Sequence, residues 1–230
     1  MKTIGLIGGM SWESSAEYYR LINRHSKARH GGHHNAKSVL VTVDFAEIEA
    51  LQRAQDWAAL GARMADAARQ LEAAGADLVV LTTNTMHRVH DAIEAAVALP
   101  FLHIADPTGA ALRAAGIERV ALLGTRYTME LPFYAERLRT KFGLDVLVPD
   151  ENGRDDVHRI IYDELCHGII APESRTTYVR IIESLAKRGA QAVILGCTEI
   201  TLLIGAGDSP LPVFDTTTLH AKAAVEWAAG

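Results

Sequence analysis

The chain has 230 residues, 49% of them apolar and 22% charged, which is typical of one globular domain or two smaller lobes. A net charge of −5 with scattered Lys and Arg residues excludes an electrostatic case for nucleic-acid binding. No apolar run approaches the ~20 residues that cross a bilayer, and the N-terminal run is too short for a signal peptide, so we expect a cytoplasmic protein without membrane contact.

Apolar runs of strand length alternate with alanine-rich amphipathic runs of helix length. The predicted strands are Ile4–Ile7, Val39–Val43, Leu78–Leu81, Phe101–Ile104, Val120–Leu123, Val146–Val148 and Ala192–Leu195. The predicted helices are Ser11–Arg29, Trp57–Ala74, Met86–Ala96, Thr108–Ala115, Phe133–Phe142, Asp155–Gly168, Glu173–Arg188 and Leu219–Ala228. Short strands that alternate with helices predict βαβ units in a doubly wound α/β fold with parallel sheets.

Three segments of the first half recur in the second half, in the same order and at nearly constant spacing. The pairs are TIGLIGG with RVALLGT, GADLVVLTTNT with GAQAVILGCTE, and LPFLHIADPT with LPVFDTTTLH. The repeat predicts two pseudosymmetric lobes, residues 1–100 plus 216–230 and residues 101–215, with the active site in the cleft between them. It also makes Thr83 the equivalent of Cys197, so that one ligand is contacted from two opposite faces.

Small or polar residues follow four of the predicted strands, where parallel sheets collect their ligands. These segments are Gly8–Ser11, Thr83–Thr85, Gly124–Arg126 and Gly196–Glu199. The first, in GLIGGM, is neither a dinucleotide fingerprint nor a P-loop. A tight turn and a carboxylate-binding loop both remain open for it.

Histidines and cysteines supply the other candidates. His30, His33 and His34 lie in a glycine-containing loop without a Cys or carboxylate at ligand spacing, which favours a solvated loop over a metal site. A lone cysteine such as Cys166, near the end of a predicted helix, is usually a small buried side chain. Cys197 follows a strand and precedes a turn or helix, where a helix dipole would lower the thiol pKa, so we predict a functional Cys197.

The runs IGLIGGMSWES, TNTMH, GTRYTM and GCTEI resemble the aspartate/glutamate racemase family, and the matches extend from Ile4 to Asp215. The resemblance implies two similar α/β lobes and an isomerase that racemises a small amino-acid substrate without pyridoxal phosphate, any other cofactor or a metal. It also implies a homodimer. Family members remove the α-proton with one cysteine and return a proton with another. Cys197 matches the second cysteine, whereas Thr83 replaces the first, as in a branch specific for the L enantiomer of aspartate or glutamate.

The same resemblance implies the substrate contacts that follow Thr83 and Cys197, and Met10, Ser11 and Gln52 are added for shape and hydrogen bonding. The substrate-binding candidates are Met10, Ser11, Gln52, Asn84, Thr85, Thr198 and Glu199, with His87 as a supporting residue that either orients a site group or occupies a first helical turn. The basic residues that hold a side-chain carboxylate in the family are not evident, although Gln52, Arg126 and His167 are substitutes. Specificity for acidic, neutral or varied side chains therefore remains open.

Thr83 has a chemical consequence, because a threonine hydroxyl has no accessible anion. We expect asymmetric racemisation, in which one enantiomer is a much better substrate than its mirror image. Cys197 would abstract the α-proton efficiently, and Thr83 would deliver a proton that it receives from water or His87. Two alternatives remain. One is an enzyme like arylmalonate decarboxylase, which uses its single cysteine to protonate a planar carbanion. The other is a catalytically degenerate protein that only binds an amino acid.

Overall fold

A computed structural model describes all 230 residues, and they divide into two compact units. Unit 1 comprises Met1–Ile104 and His220–Gly230, and unit 2 comprises Ala105–Leu219. Each unit holds one four-stranded parallel sheet with helices packed against it, which confirms the predicted fold class. No helix combines the length and the apolar character that crossing a bilayer requires.

The sheet of unit 1 has the strand order β2-β1-β3-β4. Its strands are β1 (Ile4–Gly8), β2 (Ser38–Thr42), β3 (Leu78–Leu81) and β4 (Phe101–Leu102). Its helices are α1 (Trp12–His30), α2 (Phe45–Arg53), α3 (Trp57–Ala73) and α4 (His90–Glu94), and a 3-10 helix at Thr85–Val89 precedes α4. Strands β1 and β3 are wholly buried because helices cover both faces of the sheet.

The side chains of β3 show how the two faces are packed. Leu78 and Val80 belong to the apolar cluster that includes residues of α1 and the C-terminal helix. Val79 and Leu81 belong to the cluster that includes residues of α3. The alternation follows from the period of two residues in a strand, and it leaves the carboxyl end of β3 as a polar loop.

The sheet of unit 2 has the order β6-β5-β7-β8. Its strands are β5 (Arg119–Gly124), β6 (Asp145–Leu147), β7 (Ala192–Gly196) and β8 (Val213–Asp215). Its helices are α5 (Ala105–Ala114), α6 (Arg126–Glu130), α7 (Pro132–Phe142), α8 (Glu151–Arg159), α9 (Pro172–Lys187) and α10 (Ile200–Leu203). Helix α11 (Thr216–Ala229) begins in unit 2 and ends in unit 1.

The two sheets share one strand order, in which β3 and β7 occupy corresponding places. In unit 1, Ile4 of β1 lies opposite Leu78 of β3, and in unit 2, Val120 of β5 lies opposite Ala192 of β7. Thr83 follows β3 and Cys197 follows β7. The internal repeat is therefore a repeat of topology and register, and Thr83 and Cys197 are equivalent within it.

Several predicted elements differ from the structure. The predicted helix Asp155–Gly168 is α8 followed by a π-helical turn at Ile160–Glu164 and a 3-10 turn at Leu165–His167. The predicted helix Met86–Ala96 is the 3-10 helix followed by α4. Strand β4 ends at Leu102, two residues earlier than predicted. Sequence analysis missed α2, α6, α10 and β8, all of them short.

Candidate active site

In unit 1, the loop after β1 turns at Gly9, whose φ is +91°. A Cβ at this residue would lie 2.1 Å from the carbonyl oxygen of Val43, so only glycine fits. The N–H of Gly9 donates to Ser15 Oγ at 2.8 Å, which favours the tight turn for this loop. Met10 and Ser11 follow the turn and are buried, and Ser11 Oγ caps α1 by accepting a hydrogen bond from Ser14 N at 3.2 Å.

A buried hydroxyl network joins this loop to the end of β3. Ser14 Oγ donates to the carbonyl oxygen of Thr82 at 2.8 Å, and Thr82 Oγ1 donates to the carbonyl oxygen of Ile7 at 3.1 Å. Ser15 Oγ lies 3.3 Å from Thr82 Oγ1. Sequence analysis missed these three hydroxyls, although their positions beside the GLIGGM and TTNT runs were a usable signal. They fix the two strand-end loops of unit 1 relative to each other.

The loop after β3 carries the unit 1 candidates. Thr83 is half-buried, and Asn84 and Thr85 are buried beside it. Gln52 is buried on α2, and its Nε2 lies 3.3 Å from Met86 Sδ, one residue beyond Thr85. The structure thus places Gln52 against the segment that follows Thr83, and its role in substrate binding stays a prediction.

His87 is fully buried, and both of its ring nitrogens bond to backbone groups. Nδ1 lies 2.8 Å from the carbonyl oxygen of Thr83, and Nε2 accepts a hydrogen bond from Ile104 N at 3.1 Å. Because a carbonyl only accepts and an amide only donates, the ring is neutral with its proton on Nδ1. Burial, and then the neighbouring His220, hold the pKa of His87 well below its usual 6.5. The hypothesis that His87 relays a proton to Thr83 is therefore wrong, because no ring nitrogen is left for it.

In unit 2, Cys197 directly follows β7 and is half-buried, while Thr198 and Glu199 are buried. Cys197 Sγ donates to Glu199 Oε2 at 2.8 Å. Thr198 Oγ1 lies 3.0 Å from Thr217 Oγ1, and Thr216 Oγ1 donates to the carbonyl oxygen of Leu195 at 3.0 Å. Hydroxyls at the start of α11 therefore fix the strand-end loop that carries the thiol.

The pKa of Cys197 is raised well above its ordinary value, which contradicts the predicted lowering. Burial is the largest cause, followed by the negative charge of Glu199 and by Cys166. The predicted helix is α10, which has only four residues, so its dipole is too weak to compensate. Cys197 is therefore a neutral thiol at rest, and its proton points at a carboxylate.

Two neighbours of Cys197 were not among the predicted site residues: Tyr178 was not considered, and Cys166 was interpreted as a small buried side chain. Cys166 and Cys197 pack against the same apolar cluster, and Cys166 is close enough to influence the thiol. Tyr178 on α9 is fully buried, and burial, then Cys197, then Glu164 raise its pKa well above 10. Tyr178 therefore stays protonated beside the thiol. No spacing in the sequence links these residues to position 197.

The remaining polar candidates lie outside these groups. Arg126 forms ion pairs with Asp155 and with Glu130, and His167 is exposed. The exposed histidines His30, His33 and His34 belong to no group with metal-ligand geometry. Such a group occurs instead on α4, where donor atoms of His90, Asp91 and Glu94 lie within 4.8 Å of one another on the protein surface.

Two similar α/β units, each with one parallel sheet, are the arrangement that the sequence resemblance implied, and the pairing of the Cys197 thiol with a carboxylate is added by the structure. The family model for Asp/Glu/hydantoin racemases matches residues 7–224. The chain belongs to this family, which confirms the resemblance and supports an isomerase. The assignment to a branch with threonine at position 83 stays a prediction.

Similar proteins agree with this membership. A Yersinia pestis protein of known structure, assigned to the Asp/Glu racemases, is 54% identical with a TM-score of 0.94, and the match covers all of both chains. An aspartate racemase homologue from Pyrococcus horikoshii OT3 is 33% identical with a TM-score of 0.87, again over both whole chains. The broad specificity amino-acid racemase RacX of Bacillus subtilis (strain 168) is 23% identical over 70% of this chain and 68% of its own.

Proposed function

We propose that this protein is an amino-acid racemase in which Cys197 exchanges the α-proton on one face of the substrate and Thr83 serves the opposite face. The observation that carries the proposal is the hydrogen bond of 2.8 Å from Cys197 Sγ to Glu199 Oε2 at the end of β7. The equivalence of Thr83 and Cys197 within the repeat supports the second half of the proposal, and so does membership in a racemase family.

Proton abstraction begins with the thiol and its carboxylate. Transfer of the Cys197 proton to Glu199 produces a thiolate, which the protein alone disfavours because burial raises the thiol pKa. A bound substrate brings a positive α-ammonium group, whose charge stabilises the thiolate. The thiolate then takes the α-proton and becomes a thiol again, while the bonding electrons move into the substrate carboxylate group.

Proton delivery on the other face falls to the Thr83 hydroxyl. A free threonine alkoxide is out of reach near neutral pH, so the hydroxyl must receive a proton from water as it gives its own. His87 does not supply this proton, because both of its ring nitrogens are bonded to backbone groups. We therefore expect inversion to be slower than proton exchange on the face that Cys197 serves.

The proposed substrate class rests on an arginine that is already paired with a carboxylate of the protein, and on the names of two relatives. Arg126, one of the sequence candidates for binding a side-chain carboxylate, pairs with Asp155. The relatives named above include both an aspartate racemase homologue and a broad-specificity racemase. The proposal therefore covers amino acids with acidic and with neutral side chains.

The residues also support chemistry without pyridoxal phosphate. That cofactor is held by a lysine through a Schiff base. The strand-end segments at Gly8–Ser11, Thr83–Thr85, Gly124–Arg126 and Gly196–Glu199 contain no lysine. Cys197 and Glu199 supply the acid–base pair that the reaction needs instead.

The proposal is tested by incubating the protein in D2O with a panel of L- and D-amino acids and following the α-proton signal by NMR. We expect deuterium to enter the α-position of at least one amino acid, with its mirror image appearing more slowly. If no amino acid in the panel exchanges, the proposal fails.

One observation also favours the decarboxylase alternative. The raised pKa keeps the Cys197 thiol protonated, which suits an enzyme that only delivers a proton to a carbanion. Release of carbon dioxide from an arylmalonate, without α-exchange in any amino acid, would select it. Thermal stabilisation by an amino acid without exchange would select the binding protein, because any ligand of the native state stabilises it.

A further inference from the structure

Unit 1 contains a buried histidine cluster, which we define as His87, His103 and His220. The exposed fraction of each is at most 1%. The ring centroids of His87 and His103 are 4.6 Å apart, and those of His87 and His220 are 5.8 Å apart. Three buried histidines in contact are costly when charged, so such a cluster requires neutral rings.

Hydrogen bonds assign the tautomer of His220 as well. Its Nε2 lies 2.9 Å from the carbonyl oxygen of Leu102, so Nε2 carries the proton. Burial disfavours a second proton on this ring, and its neutral Nδ1 accepts a hydrogen bond from the hydroxyl of Tyr18 on α1 at 2.8 Å. Neutral His220 thus holds the end of β4 from the α11 side.

His87 performs a similar task where the ladder between β3 and β4 ends. The last paired residues are Val80 and Leu102, so the ladder ends before the backbone N–H of Ile104. His87 Nε2 accepts this N–H, while Nδ1–H donates to the carbonyl of Thr83. One imidazole thus joins the backbone after β4 to the backbone of Thr83.

We propose that His87 is a positioning residue for Thr83, because its neutral ring fixes the Thr83 carbonyl and thereby the direction of the Thr83 hydroxyl. The inference rests on the proposed function, in which that hydroxyl delivers a proton. His87 makes this contribution without touching the substrate. Its effect should therefore fall on inversion and not on the proton exchange performed by Cys197.

Protonation of His87 would break the arrangement. An imidazolium carries N–H groups on both nitrogens, so Nε2 would confront Ile104 N–H as a second donor. The titratable groups that face His87 are His220 of α11, His90 of α4 and His103 after β4, and Tyr18 of α1 lies behind His220. Burial, and after it the neighbouring His220 and His90, oppose a positive charge on His87, so the neutral arrangement persists well below pH 6.5.

The readout is the ratio of inversion to α-deuterium exchange, measured with one substrate in D2O. We expect His87→Phe, which removes both hydrogen bonds, to lower this ratio by ~10²-fold, the scale for a displacement of about 1 Å at a reacting group. The glutamine of His87→Gln offers a donor and an acceptor at similar spacing. Its ratio of inversion to exchange should therefore stay closer to the wild-type value than that of His87→Phe. In a Thr83→Ala background the Phe substitution should lower the ratio no further.

His90→Gln is the matched control. His90 is a near neighbour that also bonds to a backbone carbonyl, that of His87 at 2.9 Å, but it makes no contact with Thr83. Its substitution should leave the ratio unchanged. A folded His87→Phe protein with the wild-type ratio would overturn the inference, and so would an equal loss of ratio in His90→Gln.

A second measurement needs no variant and no substrate. Nitrogen-15 NMR of the wild-type protein should show His87 protonated at Nδ1 alone, without titration between pH 8 and pH 5.5. A proton on Nε2, or titration near pH 6.5, would overturn the inference whatever the protein catalyses. Absence of α-exchange in the wild-type protein would instead refute the proposed function.

Discussion

Cys197 and Glu199 form a proton-sharing pair whose behaviour differs from that of a lone thiol. The carboxylate raises the thiol pKa by its charge, and it also offers the nearest acceptor for the thiol proton, at 2.8 Å. Glu199 therefore makes the resting thiolate less stable, yet it also accepts the proton when the thiolate forms. Removing the carboxylate should lower the thiol pKa and slow proton transfer, so a single substitution can separate the two effects.

Glu199→Gln should lower the pKa of Cys197 because a negative charge is removed, and iodoacetamide should then alkylate the thiol faster at neutral pH. The same change should slow α-proton exchange by ~10²-fold, because the acceptor is lost. Glu164→Gln is the control, since Glu164 bonds Ser174 and Arg159 and does not contact Cys197. Faster exchange in Glu199→Gln would contradict the pairing.

Thr83→Cys should raise the rate of inversion relative to exchange, because a thiol reaches its anion far more readily than a hydroxyl. Racemisation has an equilibrium constant of one, so kcat/KM must rise equally from both enantiomers. Polarimetry combined with NMR of the α-position measures the two processes. Thr140→Cys, the same substitution at an exposed residue of α7, is the control. An unchanged inversion-to-exchange ratio in Thr83→Cys would argue against a role for position 83.

The sequence predicted Thr83 and Cys197 as site residues but gave the wrong sign for the thiol pKa. A strand followed by a small or polar residue is a local pattern, and the repeat made the two positions equivalent. Burial and the nearness of Cys166 arise only in the folded chain, where the 3-10 turn at Leu165–His167 contacts α10 and Cys166 packs against the same apolar cluster as Cys197. Local sequence carries no signal for either effect.

At the scale of elements, α5 and α7 pack through a contact that only glycine permits. A Cβ at Gly109 of α5 would lie 2.3 Å from Cδ2 of Phe142, the last residue of α7. Glycine costs helix stability in the middle of α5, ~1 kcal/mol relative to alanine. The close contact with the ring of Phe142 explains why α5 has a glycine at position 109.

Gly109→Ala should lower the free energy of unfolding, because overpacking costs about 1–3 kcal/mol and outweighs the gain in helix propensity. Urea denaturation measures the change. Gly61→Ala on α3 is the milder control, since its Cβ would lie 3.2 Å from Ala92 Cβ. Phe142→Leu should relieve part of the Gly109→Ala loss, and full additivity of the two substitutions would contradict a direct clash.

Element prediction succeeded where runs were long and apolar and failed where tertiary contacts decide the backbone. Strand β3 has the bounds that its apolar run predicts, Leu78–Leu81. Helix α2 was missed because its nine residues include three acidic or basic side chains, and only the Asp44 cap, which accepts from Ala46 N at 3.0 Å, marks its start. Strand β8 has three residues, and β7 alone pairs with it.

The stability of the whole molecule should depend on pH through its buried neutral histidines. The pKa of His87 is well below 6.5 in the native state, whereas in the unfolded chain it is about 6.5. Above pH 6.5 His87 is unprotonated in both the native and the unfolded state, so it does not lower the free energy of unfolding. Below that pH the unfolded state binds more protons, so the free energy of unfolding falls by up to ~1.4 kcal/mol per pH unit.

Urea denaturation between pH 8 and pH 5 measures this dependence. Burial also lowers the pKa of His25 and His158, which adds smaller losses in the same window because both are more exposed. His87→Gln should flatten the slope between pH 6.5 and pH 5, and His33→Gln, in an exposed loop, should leave it unchanged. Constant stability from pH 8 to pH 5 would contradict neutral burial.

Carboxylates change the free energy of unfolding at lower pH than histidines do, so the two contributions can be told apart. Burial opposes the charge of Asp106, but hydrogen bonds from Arg137 and Lys141 lower its pKa below the ordinary value. Its contribution is complete above about pH 4 and is lost as the pH falls further. A decline that begins near pH 6.5 therefore reports histidines.

The central claim is that the Cys197 thiol exchanges the α-proton of an amino acid. Its most direct test compares deuterium incorporation at the α-carbon by wild-type protein, Cys197→Ser and Cys166→Ser, the last being the matched loss of a neighbouring thiol. We predict that Cys197→Ser lowers the exchange rate by at least ~10²-fold, the scale of general acid–base catalysis, and that Cys166→Ser still exchanges. Exchange at the wild-type rate by folded Cys197→Ser would contradict the account.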